Sequence, residues 1–299
     1  MFGALVVDKP AGWTSHDVVA RMRRIAGTRR IGHLGTLDPM ATGVLPLLLG
    51  PATRLARFFE DAEKVYEGVI RFGFSTNTYD AEGEPTSEVV PFTVDRDAMQ
   101  DLIAQRFLGE FAQMPPAVSA KKIGGTPAYK LARQGKPVDL KPVNVTVHEF
   151  AILEAEGERL RVRVRCGAGT YVRSLAHDLG ACVGAGAHLE SLRRTASGSF
   201  CVEQAVTLED AAALAADGRL AERLIPAARL LPAIPAEVVD ESTVRQIREG
   251  RDFHTSPFVE SSSSPFLKAV SRQGELVAMA ERKIHRMYHP VIVFANELT

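Results

Sequence analysis

The sequence predicts an α+β protein with a small β-rich C-terminal domain. Segments 64–74 and 160–166 alternate apolar and polar residues with the period of a half-buried strand. Helix-period segments are interspersed with them in no regular βαβ order. Pro226, Pro232 and Pro235 then punctuate the chain before a run of short strand-like segments. These features place a boundary near residue 234, dividing the chain into 1–233 and 234–299.

Ala4–Val7 is a short apolar run ended by Asp8-Lys9-Pro10-Ala11-Gly12, a strand followed by a turn. Ser15 is placed to cap a helix carrying Val18, Val19, Met22 and Ile25 on one face and ending near Gly27. In 64–74, Tyr66, Ile70, Phe72 and Phe74 share one side of a strand. Met99, Leu102, Ile103 and Phe107 recur at helical spacing. Residues 113–142 are rich in Pro, Gly and Lys and read as a long basic excursion from the core. Leu160–Cys166 has one apolar face and one arginine face. Gly167-Ala168-Gly169 turns the chain into a helix from Thr170 to about Gly180, and a further helix is expected over 208–224. Beyond the boundary, a helix is expected over 241–249 and strands over 266–270, 276–280 and 291–294.

With 299 residues, two domains are expected at about 150 residues each. A composition of 45% hydrophobic and 24% charged residues fits a globular chain able to bury a sizeable core. Lys plus Arg and Asp plus Glu both total 36, so the whole chain lacks the strong basic excess of a dedicated nucleic-acid binder. The balance hides a local asymmetry, because residues 21–30 hold five arginines and no acid. Three cysteines, none in a CxxC pair, predict reduced thiols rather than a disulfide framework. The N-terminus has no basic region leading into a long apolar run, and no stretch approaches the ~18 apolar residues of a membrane span. A cytoplasmic protein is expected.

The most informative stretch is 31–46, IGHLGTLDPMATGVLP. Gly32, Gly35 and Gly43, with Pro39 and Pro46, surround a single carboxylate, Asp38. The physical reading is a tight loop presenting one acid in a pocket. Taken alone, Asp followed by Pro is also a common helix start. The full string resembles the signature of the bacterial tRNA pseudouridine synthase B (TruB) family, whose aspartate at that position is catalytic. Four further segments resemble the family's motifs in order: DKPAGWTSHDVV (8–19), EKVYEGVIRFG (63–73), CGAGTYVRSLAHDLG (166–180) and HLESLRRTASGSF (188–200). The resemblance covers essentially the whole chain and is weakest at 90–112 and beyond the boundary.

The resemblance implies a pseudouridine synthase fold, with a mixed, mostly antiparallel central sheet flanked by helices, and a C-terminal PUA-like RNA-binding module. It implies that Asp38, Tyr66 and Arg173 are catalytic. Arg173 would pair with Asp38 and favour its ionised form, while the Tyr66 ring would stack on an extruded base. His33, Tyr171 and Leu192 would contact substrate, and Lys9 would support the active-site loop. Lys121, Lys122 and Lys130, in an insertion that clasps RNA, would face phosphates with Arg29, Arg30, Arg193 and Arg194.

The implied reaction isomerises uridine 55 in the T-arm loop of tRNA by detaching uracil at N1 and rejoining it through C5. It requires no cofactor or metal, and the target base must leave the stack to be reached. Of the histidines, only His285 and His289 have helical metal-ligand spacing, and Pro290 argues against a helix there. The expected partner is tRNA alone, with no membrane, guide RNA or obligate protein partner, and the protein is expected to be a monomer. A guide-RNA-dependent enzyme and a non-catalytic RNA-binding or tRNA-folding protein are the competing readings.

Overall fold

The computed structural model describes residues 1–117, 122–123, 126–127, 140–256 and 264–294. The chain opens with β1 (Gly3–Lys9) and α1 (Ser15–Ile25). Thr14, rather than Ser15, caps α1: its hydroxyl accepts from the Asp17 amide, and Asp17 accepts from the Thr14 amide. This reciprocal box satisfies two amides that helix geometry leaves open, and it frees the Ser15 hydroxyl for another task. β2 (Ile31–His33), β3 (Thr42–Leu49), a 3₁₀ helix over Gly50–Phe59 and β4 (Lys64–Phe72) follow. Phe74 therefore lies past the end of its expected strand.

α2 (Arg96–Arg106) and β5 (Gly109–Gln113) precede a short hairpin, β6 (Lys122–Ile123) and β7 (Thr126–Pro127). Then come β8 (Val143–Glu156), β9 (Arg159–Cys166), α3 (Val172–Cys182), β10 (Ala187–Ser197) and β11 (Phe200–Cys201). α4 (Leu208–Ala216) is shorter than the helix expected over 208–224. Gly218 takes φ +71° and ends it, leaving only a 3₁₀ turn over Leu220–Arg223. After β12 (Ile225–Pro226) come β13 (Ala236–Val239), α5 (Glu241–Arg248), β14 (Phe253–His254), β15 (Phe266–Ser271), β16 (Leu276–Ile284) and β17 (Met287–Val293).

The large sheet runs β12-β1-β3-β10-β4-β9-β8-β5, with β2 on β3 and β11 on β10. β3 and β10 are parallel, and the other pairs are antiparallel. One face is covered by helices: Val18, Val19 and Met22 of α1, Met99 and Ile103 of α2, Leu175 and Leu179 of α3, and Leu208 of α4 share one core. β1 and β3 alternate between two cores. Leu5, Val7, Leu45 and Leu47 point into the helical side, while Ala4, Val6, Val44 and Leu48 point the other way.

That second face is covered by the C-terminal sheet, ordered β13-β15-β16-β17-β14. Its Val270, Leu276, Met279 and Ile292 meet Val6 and Leu48 in one apolar cluster. Val277, Ala278 and Ala280 turn away to pack with Ile247 of α5. The buried Lys268 ammonium donates to the carbonyls of Ala228, Leu230 and Leu231, pinning the segment that joins the two sheets. Because the two sheets share a core, Leu48→Ala should weaken both together. The expected cost is ~2–5 kcal/mol, read in urea unfolding as a lower midpoint for a single transition.

Among the described residues no helix is long and apolar enough to cross a membrane.

Candidate active site

Strand register builds the floor of the site. Gly43 on β3 lies opposite Arg194 on β10, Arg194 opposite Tyr66 on β4, and Tyr66 opposite Val164 on β9. Side chains opposite one another across paired strands emerge on the same face, so Arg194 and Tyr66 stand side by side. Gly43 makes this possible: with φ +99°, a Cβ there would sit 2.2 Å from the Arg194 carbonyl oxygen. Gly43→Ala is expected to cost at least ~1–3 kcal/mol from backbone strain alone. A thermal melt checks it, and an unchanged melting temperature would contradict the close approach.

The segment between β2 and β3 carries Asp38 and is tied down from the N-terminal turn. Lys9, fully buried, donates to the carbonyls of Pro10, Trp13 and Pro39. The Gly12 amide also donates to the Pro39 carbonyl. The Ser15 hydroxyl accepts from the Leu37 amide at 2.9 Å. Burial lowers the Lys9 pKa to about 8, against the upward pull of Asp38.

Asp38 meets Arg173 side by side: Nε lies 2.9 Å from Oδ2, and Nη2 donates to Oδ1 at 3.1 Å. Arg173 is 4% exposed, yet the Asp38 side chain keeps 37% of its surface open. The guanidinium is held from behind. Its Nη1 donates to the Thr78 carbonyl at 2.9 Å and to Asp80 Oδ2 at 3.1 Å. Asp80 is itself fixed by the Thr78 hydroxyl and the Glu82 amide. One arginine thus bridges two acids, and its planar fork suits that task where a lysine would not.

Burial is the largest influence on Asp38 and raises its pKa; Arg173 pulls it down, Asp80 pushes it up and Lys9 pulls it down. The net displacement is upward. The arginine favours the ionised acid, as the resemblance implied, but desolvation outweighs it. Burial likewise raises the Tyr66 phenol, with Arg194 opposing, and lowers Lys64, with Arg194 adding to the effect.

Asp38, Tyr66, Tyr171, Arg173 and Leu192 line one cleft of about 250 Å³, together with Lys64 and Arg194. His33 is not among its lining residues. It lies on β2 against the edge of the His16 ring, centroids 5.4 Å apart. Arg29 and Arg30 are exposed. Arg193 is bound to Asp8 by two hydrogen bonds, at 2.7 and 3.0 Å. Arg194 corrects the sequence expectation of a surface cation: it is 1% exposed and donates to the carbonyls of Val44 and Gly35. A guanidinium so bound is part of the wall of the site rather than of the exposed surface.

Lys121 and Lys130 lie outside the described residues, and Lys122 is described only as backbone. Three contributors escaped sequence reading: Asp80, Lys64 and Gln113. Gln113 exchanges two hydrogen bonds with the Tyr171 backbone at the start of α3. Among the described residues no group of three His, Cys, Asp or Glu side chains could hold a metal ion.

Comparison with known proteins places this geometry in context. The family model described as TruB family pseudouridylate synthase (N terminal domain) matches residues 23–172. That of the tRNA pseudouridylate synthase B C-terminal domain matches residues 173–232. A tRNA pseudouridine synthase B of Solibacter usitatus is 54% identical over 293 residues, covering 98% of this chain and 100% of that protein. One of Thermobifida fusca is 45% identical, covering 98% and 99%. Among solved structures, a Cbf5-Nop10-Gar1 complex contains a chain 28% identical with a TM-score of 0.72, covering 98% of this chain and 84% of that one. An H/ACA RNP bound to a substrate RNA containing 2'-deoxyuridine gives 26% identity and a TM-score of 0.72, covering 98% and 85%.

Proposed function

The chain belongs to the TruB family of pseudouridylate synthases, and from that premise we propose that it isomerises uridine 55 in the T-arm loop of tRNA, with Asp38 as the catalytic carboxylate. The observation that carries this reading is the Asp38–Arg173 pair at the wall of a cleft shared with Tyr66 and Leu192. The relatives that match nearly end to end are named for tRNA pseudouridine synthesis.

The cleft takes one base turned out of its stack, not a duplex. Extrusion costs a few kcal/mol. Stacking on the Tyr66 ring, at ~1–3 kcal/mol per base, and apolar contact with Leu192 offset it. Lys64 and Arg194 add positive charge along the same wall.

Asp38 then acts on the nucleotide as an ionised acid. It attacks ribose C1′ or pyrimidine C6, or stabilises a sugar cation; all three routes need the carboxylate deprotonated. In each, the C1′–N1 bond breaks, a C1′–C5 bond forms, the C5 proton leaves and N1 gains one. Nothing is oxidised or reduced. Arg173 is suited to hold Asp38 ionised and aimed. Tyr66, its phenol kept protonated by burial, is assigned the stacking role first. Tyr171 and Leu192 are read as walls for the base and His33 as an outer contact to RNA. Arg29, Arg30 and the lysines of 113–142 are candidates for the phosphates. The C-terminal sheet is read as a PUA-like RNA-binding unit.

The test is an unmodified tRNA transcript incubated with the purified protein, without guide RNA or added cofactor, and mapped for pseudouridine. The expected product is a single T-loop site. Conversion only on addition of a guide RNA would point instead to the mode of the H/ACA assemblies. Binding without conversion would point to an RNA-folding protein.

A further inference from the structure

We propose that Tyr79 and His177 form a ring clasp that positions Arg173 against Asp38, making both of them positioning residues for the reaction proposed above. The clasp lies one helical turn along α3 from Arg173. The Tyr79 ring lies on the His177 ring with centroids 3.8 Å apart and planes 12° from parallel. His177 sits four residues beyond Arg173 on α3, so the two project from one face, a turn apart. Thr78, Tyr79 and Asp80 therefore grip that face in succession: Thr78 by its carbonyl on Arg173, Tyr79 by its ring on His177, Asp80 by its carboxylate on Arg173.

The backbone here is unusual. Tyr79 takes φ +64°, a region that side-chain-bearing residues seldom adopt. Strain of this kind persists where surrounding contacts over-determine it. Two such contacts fix the other side of the turn: the Leu189 amide of β10 donates to the Tyr79 carbonyl at 3.0 Å, and the Ala81 amide donates to the Leu189 carbonyl. The ring stack supplies the contact to α3.

His177 Nδ1 is buried and has no hydrogen-bond partner among the described residues, so no polar bond at that atom orients the ring. Burial lowers the His177 pKa, which suits a neutral stacked imidazole. Without the clasp, β10 would still hold one side of the turn through Leu189, but Arg173 would be the α3 side chain left both to grip its other side and to aim at Asp38. With it, Thr78 and Asp80 become fixed acceptors, and the remaining edge of the guanidinium is directed to the catalytic acid.

The full-length chain is tested as Tyr79→Phe, Tyr79→Gly, His177→Ala and the Gly/Ala double variant. Glycine adopts φ +64° freely, so Tyr79→Gly removes the ring while relieving the backbone. Single-turnover conversion of an unmodified T-arm RNA should fall roughly tenfold in Tyr79→Gly and in His177→Ala, less than the ~10²-fold of a full 1 Å misplacement. Tyr79→Phe should stay within about twofold and the double variant should be no worse than either single, because one contact is lost only once. RNA affinity should not change.

A second readout needs no turnover. The groups around Asp38 are Arg173, Asp80, Glu82 and Lys9, with Lys64, Arg194 and Tyr66 across the cleft. Losing the clasp loosens Arg173 and the turn that carries Asp80 and Glu82 together, but the charge and hydrogen bond of Arg173 pull Asp38 down more than Asp80 pushes it up, so the Asp38 carboxyl, followed by carbon NMR in RNA-free protein, should titrate higher in Tyr79→Gly than in wild type. An unmoved Asp38 titration, a wild-type rate for Tyr79→Gly, losses that multiply in the double variant, or a loss confined to affinity would overturn the proposal. A wild-type protein that makes no pseudouridine would instead sink the functional reading, and the titration would still decide the clasp.

Discussion

Arg173→Lys is expected to slow single-turnover conversion by ~10²–10³-fold, the range seen when one aimed donor is lost from a preorganised site. Lysine keeps the charge but not the fork. It cannot span Asp38 Oδ1, Asp38 Oδ2, Asp80 Oδ2 and the Thr78 carbonyl at once. Arg173→Ala should do more damage to the fold, because it leaves the Asp80 carboxylate, 5% exposed, without its counter-charge. Breaking such a buried pair costs ~3–5 kcal/mol. The acid limb of the rate profile should also rise in Arg173→Lys, since a less closely held cation lowers the Asp38 pKa less. Urea unfolding and a pH series check the two effects separately. An Arg173→Lys enzyme at wild-type rate would remove the arginine from the mechanism.

Asp38→Asn is expected to leave the fold at least as stable as wild type at pH 7 while removing activity. The sign follows from the folded pKa, which burial raises above the unfolded value. For such an acid, the folded state is favoured below the unfolded pKa of ~3.9, and that advantage is lost as pH climbs through the folded pKa. At neutral pH wild type therefore carries the cost of an ionised, partly desolvated carboxylate, and asparagine does not. Any advantage of the variant in melting temperature should close as the pH is brought down toward 4. A variant clearly less stable at pH 7 would show that the Arg173 pair is a net gain to the fold, against the direction of the shift.

Strands buried on one face were legible by alternation, and β1 and β16, buried on both, were legible as short apolar runs ended by turn residues or charge. β9 alternates Leu160, Val162 and Val164 with arginines because one face meets the core and the other meets water. β3 escapes sequence reading because its first half falls in the Gly- and Pro-bearing 31–46 string, which reads as a loop, and because Val44 to Leu49 is buried on both faces, so the period of two disappears. β10 was hidden for another reason: Arg193 and Arg194 break its apolar pattern, one to pair with Asp8 and the other to line the cleft. The Asp38 loop stood out through its glycines, and the structure gives Gly43 its reason in the Arg194 carbonyl. The pairing of Asp38 with Arg173 came from family resemblance, since 135 residues separate them. Asp80 was not legible at all. It lies in a turn without periodicity, and only the fold brings it to the far side of the guanidinium.

The most direct test compares wild type with Asp38→Asn on one unmodified tRNA transcript, with enzyme in excess so that every RNA is bound. Pseudouridine at the T-loop uridine is then followed over time. Wild type should convert it fully, and the variant should be slower by ~10⁴-fold or more, the scale on which loss of a covalent nucleophile is felt. Equal RNA occupancy with comparable conversion by Asp38→Asn would contradict the assignment of the reaction to that carboxylate.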